Sequence, residues 1–223
     1  MSAKIELHNI DCMEYLATCE DNAFELAIVD PPYGIGAGAM KLGKAKQKKW
    51  KGGAWDSEPP TKEYWNELHR VSKNVVAWGA NHFTEHLLSS RGWIFWDKMT
   101  EGFGNYSHGE LAYTTFDQTL VKFTYKMQGA YIGFPGSITT KQATGNHDKI
   151  HPTQKPVKLY EWLLINYAKE SDRILDTHLG SGSIAIACHN LGFDLVGCEL
   201  DTDYFNAAQK RLKQHQSQLR IPV

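Results

Sequence analysis

Short apolar runs rich in β-branched and aromatic residues alternate along the chain with stretches of helical period, and that alternation predicts an α/β sheet. The runs place strands at Ile5–Asn9, Leu26–Asp30, Asn74–Trp78, Trp93–Trp96, Leu111–Phe116, Arg173–Asp176 and Leu195–Glu199, with a further strand at Thr119–Thr124. Helical spacing predicts helices at Met13–Cys19, Lys62–Val71, His82–Leu88, Val157–Lys169, Ile184–Leu191 and Tyr204–Gln216. Two segments carry no period: Ile35–Glu58, rich in Gly and Lys, and Gln128–Pro152, rich in Gly, Thr and Pro. Loops of that length in a compact domain are usually functional or disordered. Both follow segments assigned here to the active face.

Length and composition bound the answer without choosing it. The 223 residues suit one domain with a full core and, at most, a modest inserted lobe. Hydrophobic content of 42% and charged content of 22% are those of a globular protein. The seven Trp and ten Tyr first suggest core, and only then surfaces on which a base could stack.

A formal net charge of −1 means that the chain as a whole is no basic binder of polyanions. Its lysines are unevenly spread, however. Lys41, Lys44, Lys46, Lys48, Lys49 and Lys51 crowd one Gly-containing stretch, either a solvated loop or an arm that neutralises phosphates. The four cysteines (Cys12, Cys19, Cys188, Cys198) show no CxxC spacing, so neither a zinc site nor a disulfide framework is indicated. His147, Asp148 and His151 lack a fourth ligand, and no metal is expected. With no apolar signal region and no 18-residue apolar stretch, a reducing, cytoplasmic setting is expected.

Three constellations carry chemistry. In Leu26-Ala-Ile-Val-Asp30-Pro31-Pro32-Tyr33 an apolar run ends in an acid, two rigid prolines and an aromatic ring. Open α/β sheets place ligands at the carboxyl ends of their strands. Pro31 and Pro32 fix φ and donate no N–H, so the Pro31 carbonyl can face outward as an acceptor. Asp30 and that carbonyl together suit an amine with two N–H donors, such as that of adenine, while Tyr33 offers a stacking face. The bland alternative is a strand stopped by a structural turn.

Second, Arg173-Ile-Leu-Asp176-Thr-His-Leu-Gly180-Ser-Gly182-Ser-Ile-Ala spells strand, glycine loop and helix, and Glu199 ends the next strand. Glycines admit a ligand close to the backbone, and an acid at that strand end can chelate ribose hydroxyls. A nucleoside-containing cofactor follows, but the pattern alone does not separate NAD from S-adenosylmethionine. Third, His151-Pro152-Thr153-Gln154-Lys155-Pro156 precedes a helix and is also adequate simply as a helix start.

The order Asp-Pro-Pro-Tyr, then His-Pro-Thr-Gln-Lys-Pro, then a Gly loop resembles the β-class amino-methyltransferases of DNA, in which the catalytic half precedes the cofactor half. The likeness extends through Trp55-Asp56, the segment Glu67–Asn81 and Trp96-Asp97-Lys98, nearly the whole length. It implies a Rossmann-like, mostly parallel seven-stranded sheet with an antiparallel edge strand. It also implies one domain over residues 1–223, with a lysine-rich loop at 35–58 and a small target-recognition insertion at about 100–150.

By this resemblance the catalytic residues are Asp30, Pro31, Pro32 and Tyr33, and the cofactor is S-adenosyl-L-methionine. Its implied contacts are Asp11 near the adenine; Asp176, Gly180 and Gly182 along the methionine half; Thr153 and Lys155 on the carboxylate side; Glu199 at the ribose; and, without an assigned place, Cys12, Asp30, Gln154, Thr177, His178, Ser183 and Leu200. The implied substrate is adenine N6 in DNA, methylated by in-line displacement without a covalent enzyme intermediate, and no Pro-Cys pair is present for carbon-5 chemistry. The six lysines would steer DNA, a homodimer is one expected assembly, and restriction–modification or phage modification is the expected setting.

The chain departs from the pattern at Asp176-Thr177-His178, where Asp-Pro-Phe is usual, so an imidazole stands near the cofactor. The rivals are the same chemistry on cytosine N4 or on RNA, a nicotinamide-dependent oxidoreductase, and a catalytically dead DNA-binding module.

Overall fold

A computed structural model describes residues 3–36, 56–100, 107–128, 131–137, 139, 140, 150, 151 and 153–218. Its centre is an eight-stranded sheet in the order β1-β11-β10-β2-β3-β5-β4-β6. The strands are β1 (Ile5–His8), β2 (Phe24–Val29), β3 (Ser72–Trp78), β4 (Trp93–Asp97), β5 (Gly109–Thr114), β6 (Val121–Thr124), β10 (Arg173–Asp176) and β11 (Asp194–Cys198). Five helices flank them: α1 (Cys12–Leu16), α2 (Lys62–Val71), α3 (Val157–Tyr167), α4 (Ser183–Leu191) and α5 (Thr202–Gln216).

The strands look continuously apolar in sequence because both faces of the sheet are covered. Along β2, Leu26 and Ile28 join a cluster with Leu159, Leu163 and Ile184 from α3 and α4. Ala27 and Val29, turned the other way, join Leu16, Trp65 and Leu68 from α1 and α2. β3 splits likewise, Val76 and Trp78 to the first face and Val75 and Ala77 to the second. α2 buries Tyr64, Trp65, Leu68 and Val71, one stripe of a helix.

The mostly parallel α/β fold agrees with expectation, and four details differ. The sheet has eight strands: β6 extends it by pairing parallel with β4. The antiparallel strand is β5, and it lies inside the sheet between β3 and β4, not at the edge. Two single 3₁₀ turns, Ala80–His82 and Thr84–His86, replace the helix expected at His82–Leu88. Phe83 interrupts that segment at φ −138°, with its side chain buried against Trp65.

Within Gln128–Pro152, where no period was visible, a small antiparallel sheet appears: β7 (Lys126–Gln128), β8 (Tyr131–Gly133) and β9 (Thr139–Thr140). Strands of two or three residues are too short to display alternation. Phe134 docks this sheet edge-on against Tyr125, with centroids 4.9 Å apart. Of the expected insertion at 100–150, then, β5 and β6 belong to the main sheet and the small sheet stands apart from it.

β1, β2, β3, β10 and β11 run parallel, so their carboxyl ends share one edge. The reversal of β5 brings its amino end to that same edge, where Glu110 sits opposite Trp96 of β4.

Candidate active site

Asp30 directly follows β2, and its two carboxylate oxygens are separately engaged. The Tyr33 hydroxyl donates to Oδ1 at 2.8 Å, and the Lys155 ammonium pairs with Oδ2 at 2.5 Å. Lys155 also donates to the Tyr33 hydroxyl oxygen at 3.2 Å and pairs with Glu110 Oε2 at 3.1 Å. Glu110 in turn pairs with Lys98. The ammonium lies over the Trp78 ring at 5.6 Å and the Tyr33 ring at 5.7 Å.

Burial works against the charges of Glu110 and Lys155, and pairing outweighs it. Burial would raise the Glu110 carboxyl, but Lys155 and Lys98 hold it down at about 2. Burial would lower the Lys155 ammonium, but Asp30 and Glu110 keep it above its ordinary value. Burial, then Asp30 and Glu110, push the Tyr33 phenol well up, so it stays protonated as a donor.

Tyr33 is positioned from three sides. Asp56 accepts the backbone N–H groups of Tyr33 at 2.6 Å and Gly34 at 3.1 Å. His82 stacks on the Tyr33 ring at 5.0 Å and 14°. Gly79, at φ +67°, leaves the space the ring fills. Pro31 is buried and Pro32 half-buried between these anchors.

The second half of the site gathers at the ends of β10 and β11. Asp176 is buried, accepts the His178 N–H at 3.0 Å, and has its carboxyl pushed up by burial to about 8. Thr177 Oγ1 bridges the Tyr64 hydroxyl at 2.7 Å and His178 Nδ1 at 2.9 Å. Burial lowers the His178 imidazole to about 4, with Asp11 pulling weakly the other way.

Glu199 accepts the Gly180 N–H at 2.8 Å on one oxygen and the Asp201 N–H at 2.9 Å on the other, tying the glycine loop to the start of α5. Gly180 and Gly182 both adopt positive φ, +50° and +67°. A Cβ at Gly182 would meet Ala208 of α5 at 3.1 Å, so this glycine serves close helix packing.

Asp11 caps α1 through the Met13 N–H at 2.7 Å. Cys12 begins that helix, and burial and then Asp11 push its thiol up to about 12, far from a nucleophilic thiolate. Ser183 donates to the Lys155 carbonyl at 2.8 Å and also receives Arg211, joining the glycine-loop helix to the segment before α3. Gln154 is buried and accepts the Ile150 N–H at 3.1 Å. Thr153 is exposed and bonds His151 Nδ1 at 3.0 Å. Leu200 is 68% exposed.

Lys155, assigned by resemblance to the cofactor's carboxylate side, is 4% exposed and turned toward Asp30. Lys41, Lys44, Lys46, Lys48, Lys49 and Lys51, like His147 and Asp148, lie outside the described residues. No group of metal-ligating side chains occurs among the described residues, whose four cysteines are free. No helix among them is long and apolar enough to cross a membrane. Sequence reasoning assigned no role to Glu110, Gly79 or His82. Glu110 had one available signal, an acid opening a run of strand-forming residues.

The fold is Rossmann-like, and it sets the acid-tipped end of β2 beside the glycine loop that follows β10. The N6/N4 family model, described as a DNA methylase, matches residues 134–210. A relative, the type II methyltransferase M1.MboII of Moraxella bovis, is 24% identical across 94% of this chain and 96% of its own.

Two solved structures share the fold. The M1.HpyAVI–SAM complex has a TM-score of 0.57 at 20% identity, covering 93% of this chain and 100% of that one. The cytosine-N4-specific PvuII DNA methyltransferase has a TM-score of 0.57 at 12% identity, covering 96% and 92%. By these likenesses the chain is similar to DNA methyltransferases of the N6/N4 amino type.

Proposed function

We propose that the chain methylates the N6 amine of a flipped-out adenine in DNA, by direct in-line displacement. The observation that carries this reading is Asp30, held at the end of β2 with one oxygen clamped by Lys155 and the other accepting from the mobile-hydrogen hydroxyl of Tyr33. An entering amine takes the place of that hydroxyl on Oδ1 and gives its second N–H to the Pro31 carbonyl. The amine's lone pair is thereby turned toward the methyl donor.

A carboxylate cannot strip a neutral amine, so Asp30 orients the nucleophile, and the proton departs once the nitrogen has become positive. Adenine is favoured over cytosine by the acid, where a serine before Pro-Pro-Tyr would favour cytosine N4.

The residues present fit the cofactor. Asp176 is a buried acid whose raised pKa marks a carboxylate without a full cationic partner, and an α-ammonium supplies one. Glu199 would take the ribose hydroxyls with its remaining lone pairs, Gly180 admits the methionine chain, and Asp11 with Cys12 would border the adenine. Bound S-adenosylmethionine supplies an electrophilic sulfonium methyl. Tyr33, with His82 stacked on its ring, offers the aromatic surface beside which the target base would lie.

The test is transfer of labelled methyl from S-adenosylmethionine to unmethylated duplex DNA, with product nucleosides separated. The expected result is label in N6-methyladenine, reduced by about 10³-fold or more in Asp30→Ala, the combined scale of lost positioning and lost electrostatics. Label in N4-methylcytosine, or in RNA only, overturns the base or polymer assignment. No label in any nucleic acid, with cofactor binding intact, overturns catalysis.

A further inference from the structure

A lysine ammonium has three N–H donors, and a buried one must place all three. Lys155 donates to the Tyr33 hydroxyl, and its ammonium forms ion pairs with Asp30 Oδ2 at 2.5 Å and Glu110 Oε2 at 3.1 Å. The first two partners belong to the catalytic motif. The third comes from elsewhere in the chain, on the one strand that runs against its neighbours.

Glu110 pairs across β5 and β4 with Trp96 and shares its sheet face with Ala112, which packs into the core beneath α3. Its carboxylate therefore points at the segment carrying Lys155. The result is an alternating line, Asp30, Lys155, Glu110, Lys98, whose formal charges cancel.

We propose that Glu110 is a positioning residue for methyl transfer: through Lys155 it fixes the orientation of Asp30, and so of the oxygen that receives the target amine. The inference rests on the methyl-transfer reading of the site. Without Glu110, the ammonium loses one of its two carboxylate partners and swings toward the remaining one. Asp30 then loses its clamp at a fixed angle. An oxygen displaced by a fraction of an ångström still binds an amine, but it no longer aligns the lone pair with the methyl group.

The groups acting on the ammonium are Asp30 and Tyr33 after β2, Glu110 on β5, Asp176 at the end of β10 and His151 on its own segment. Lys98 reaches Glu110 from β4, and Tyr160 of α3 lies within electrostatic range of both Asp30 and Glu110. Removing the charge of Glu110 takes away one of two carboxylates that keep Lys155 protonated, so the ammonium titrates at lower pH.

The test compares wild type, Glu110→Gln and Glu110→Asp by steady-state kinetics across pH, by S-adenosylmethionine binding, and by fluorescence of a duplex carrying 2-aminopurine at the target position. Glu110→Gln is expected to lower kcat by roughly 10- to 100-fold, the scale of a small misalignment. The KM for DNA, the cofactor affinity and the 2-aminopurine signal should stay within about threefold, since positioning differs from uniform binding. The alkaline limb of kcat should move to lower pH. Glu110→Asp, keeping the charge, should restore the wild-type limb with part of the rate.

A Glu110→Gln enzyme with wild-type kcat and pH profile overturns the inference while leaving the methyl-transfer reading standing. So does a variant that loses cofactor binding and thermal stability together, unless Glu110→Asp, folded, shows the expected rate and limb. Wild-type protein that binds S-adenosylmethionine but methylates no nucleic acid overturns the reading and the inference together.

Discussion

Gly79 carries no chemistry, yet Tyr33 lies where it does only because position 79 has no Cβ. A methyl group there would fall 2.0 Å from Tyr33 Cε1, and the backbone at φ +67° is one that other residues adopt at a cost. Gly79→Ala should therefore destabilise the protein by about 1–3 kcal/mol through strain and overpacking. It should also push the ring off His82. Methyl transfer should fall by far more than the loss of folded protein, with cofactor affinity retained, because the β10–β11 half is untouched. Melting curves and single-turnover rates at a temperature where both proteins are folded would check this, and an unchanged rate would refute it. Asp30 and Tyr33 were legible in the sequence because they are neighbours on one strand end. Gly79, Glu110 and Asp56 were not, because each meets Tyr33 or Lys155 only after distant segments have been folded together. Lys155 was visible as a motif residue, but its pairing with Asp30 and Glu110 was not. Its partner is decided by the direction of β5, which no local pattern encodes.

At the scale of elements, the loop between β10 and α4 is where this chain departs from the pattern it otherwise resembles, and the structure gives that departure a measurable consequence. His178 packs edge-on to Tyr64 with centroids 5.4 Å apart, and burial depresses its pKa to about 4. An unfolded histidine titrates near ~6.5. Its folded pKa being the lower one, His178 contributes stability that is present above about 6.5 and is lost as pH falls through about 4. His151, also held at about 4 by burial and by Lys155, does the same. His178→Phe removes one of these two proton-linked contributions. Its melting temperature should fall less than that of wild type between pH 7 and 4.5, while His151 keeps the slope from vanishing. Parallel curves for the two proteins would show that His178 is not held neutral by the fold. Element boundaries were legible where burial is one-sided and regular: α2 runs over Lys62–Val71, as its stripe predicts. They failed at His82–Leu88, where a single buried phenylalanine breaks the helix into two turns, and at β7–β9, which are shorter than the period that would reveal them.

For the molecule as a whole, electrostatics must be local, since a net charge of −1 offers no long-range attraction to a polyanion. The lysine-rich segment leaves the described fold at Gly36 and returns at Asp56, and the Gly36 N–H bonds the Asp56 carbonyl at 3.0 Å. Asp56 is the residue that holds the Tyr33 backbone, so both ends of the segment are anchored beside the catalytic motif. If its six lysines neutralise phosphates flanking a flipped base, each contact releases about 0.9 of a counterion, and affinity falls with salt accordingly. Replacing Lys41, Lys44, Lys46, Lys48, Lys49 and Lys51 by glutamine should make the slope of log affinity against log salt shallower by roughly 3–5, for any DNA sequence. Asp30→Ala, which changes base capture and no phosphate contact, should leave that slope as it is. The two variants thus separate holding the duplex from aligning the base. A slope unchanged by removal of all six lysines would return that segment to the role of a solvated loop and require the phosphates to be met elsewhere on the active edge.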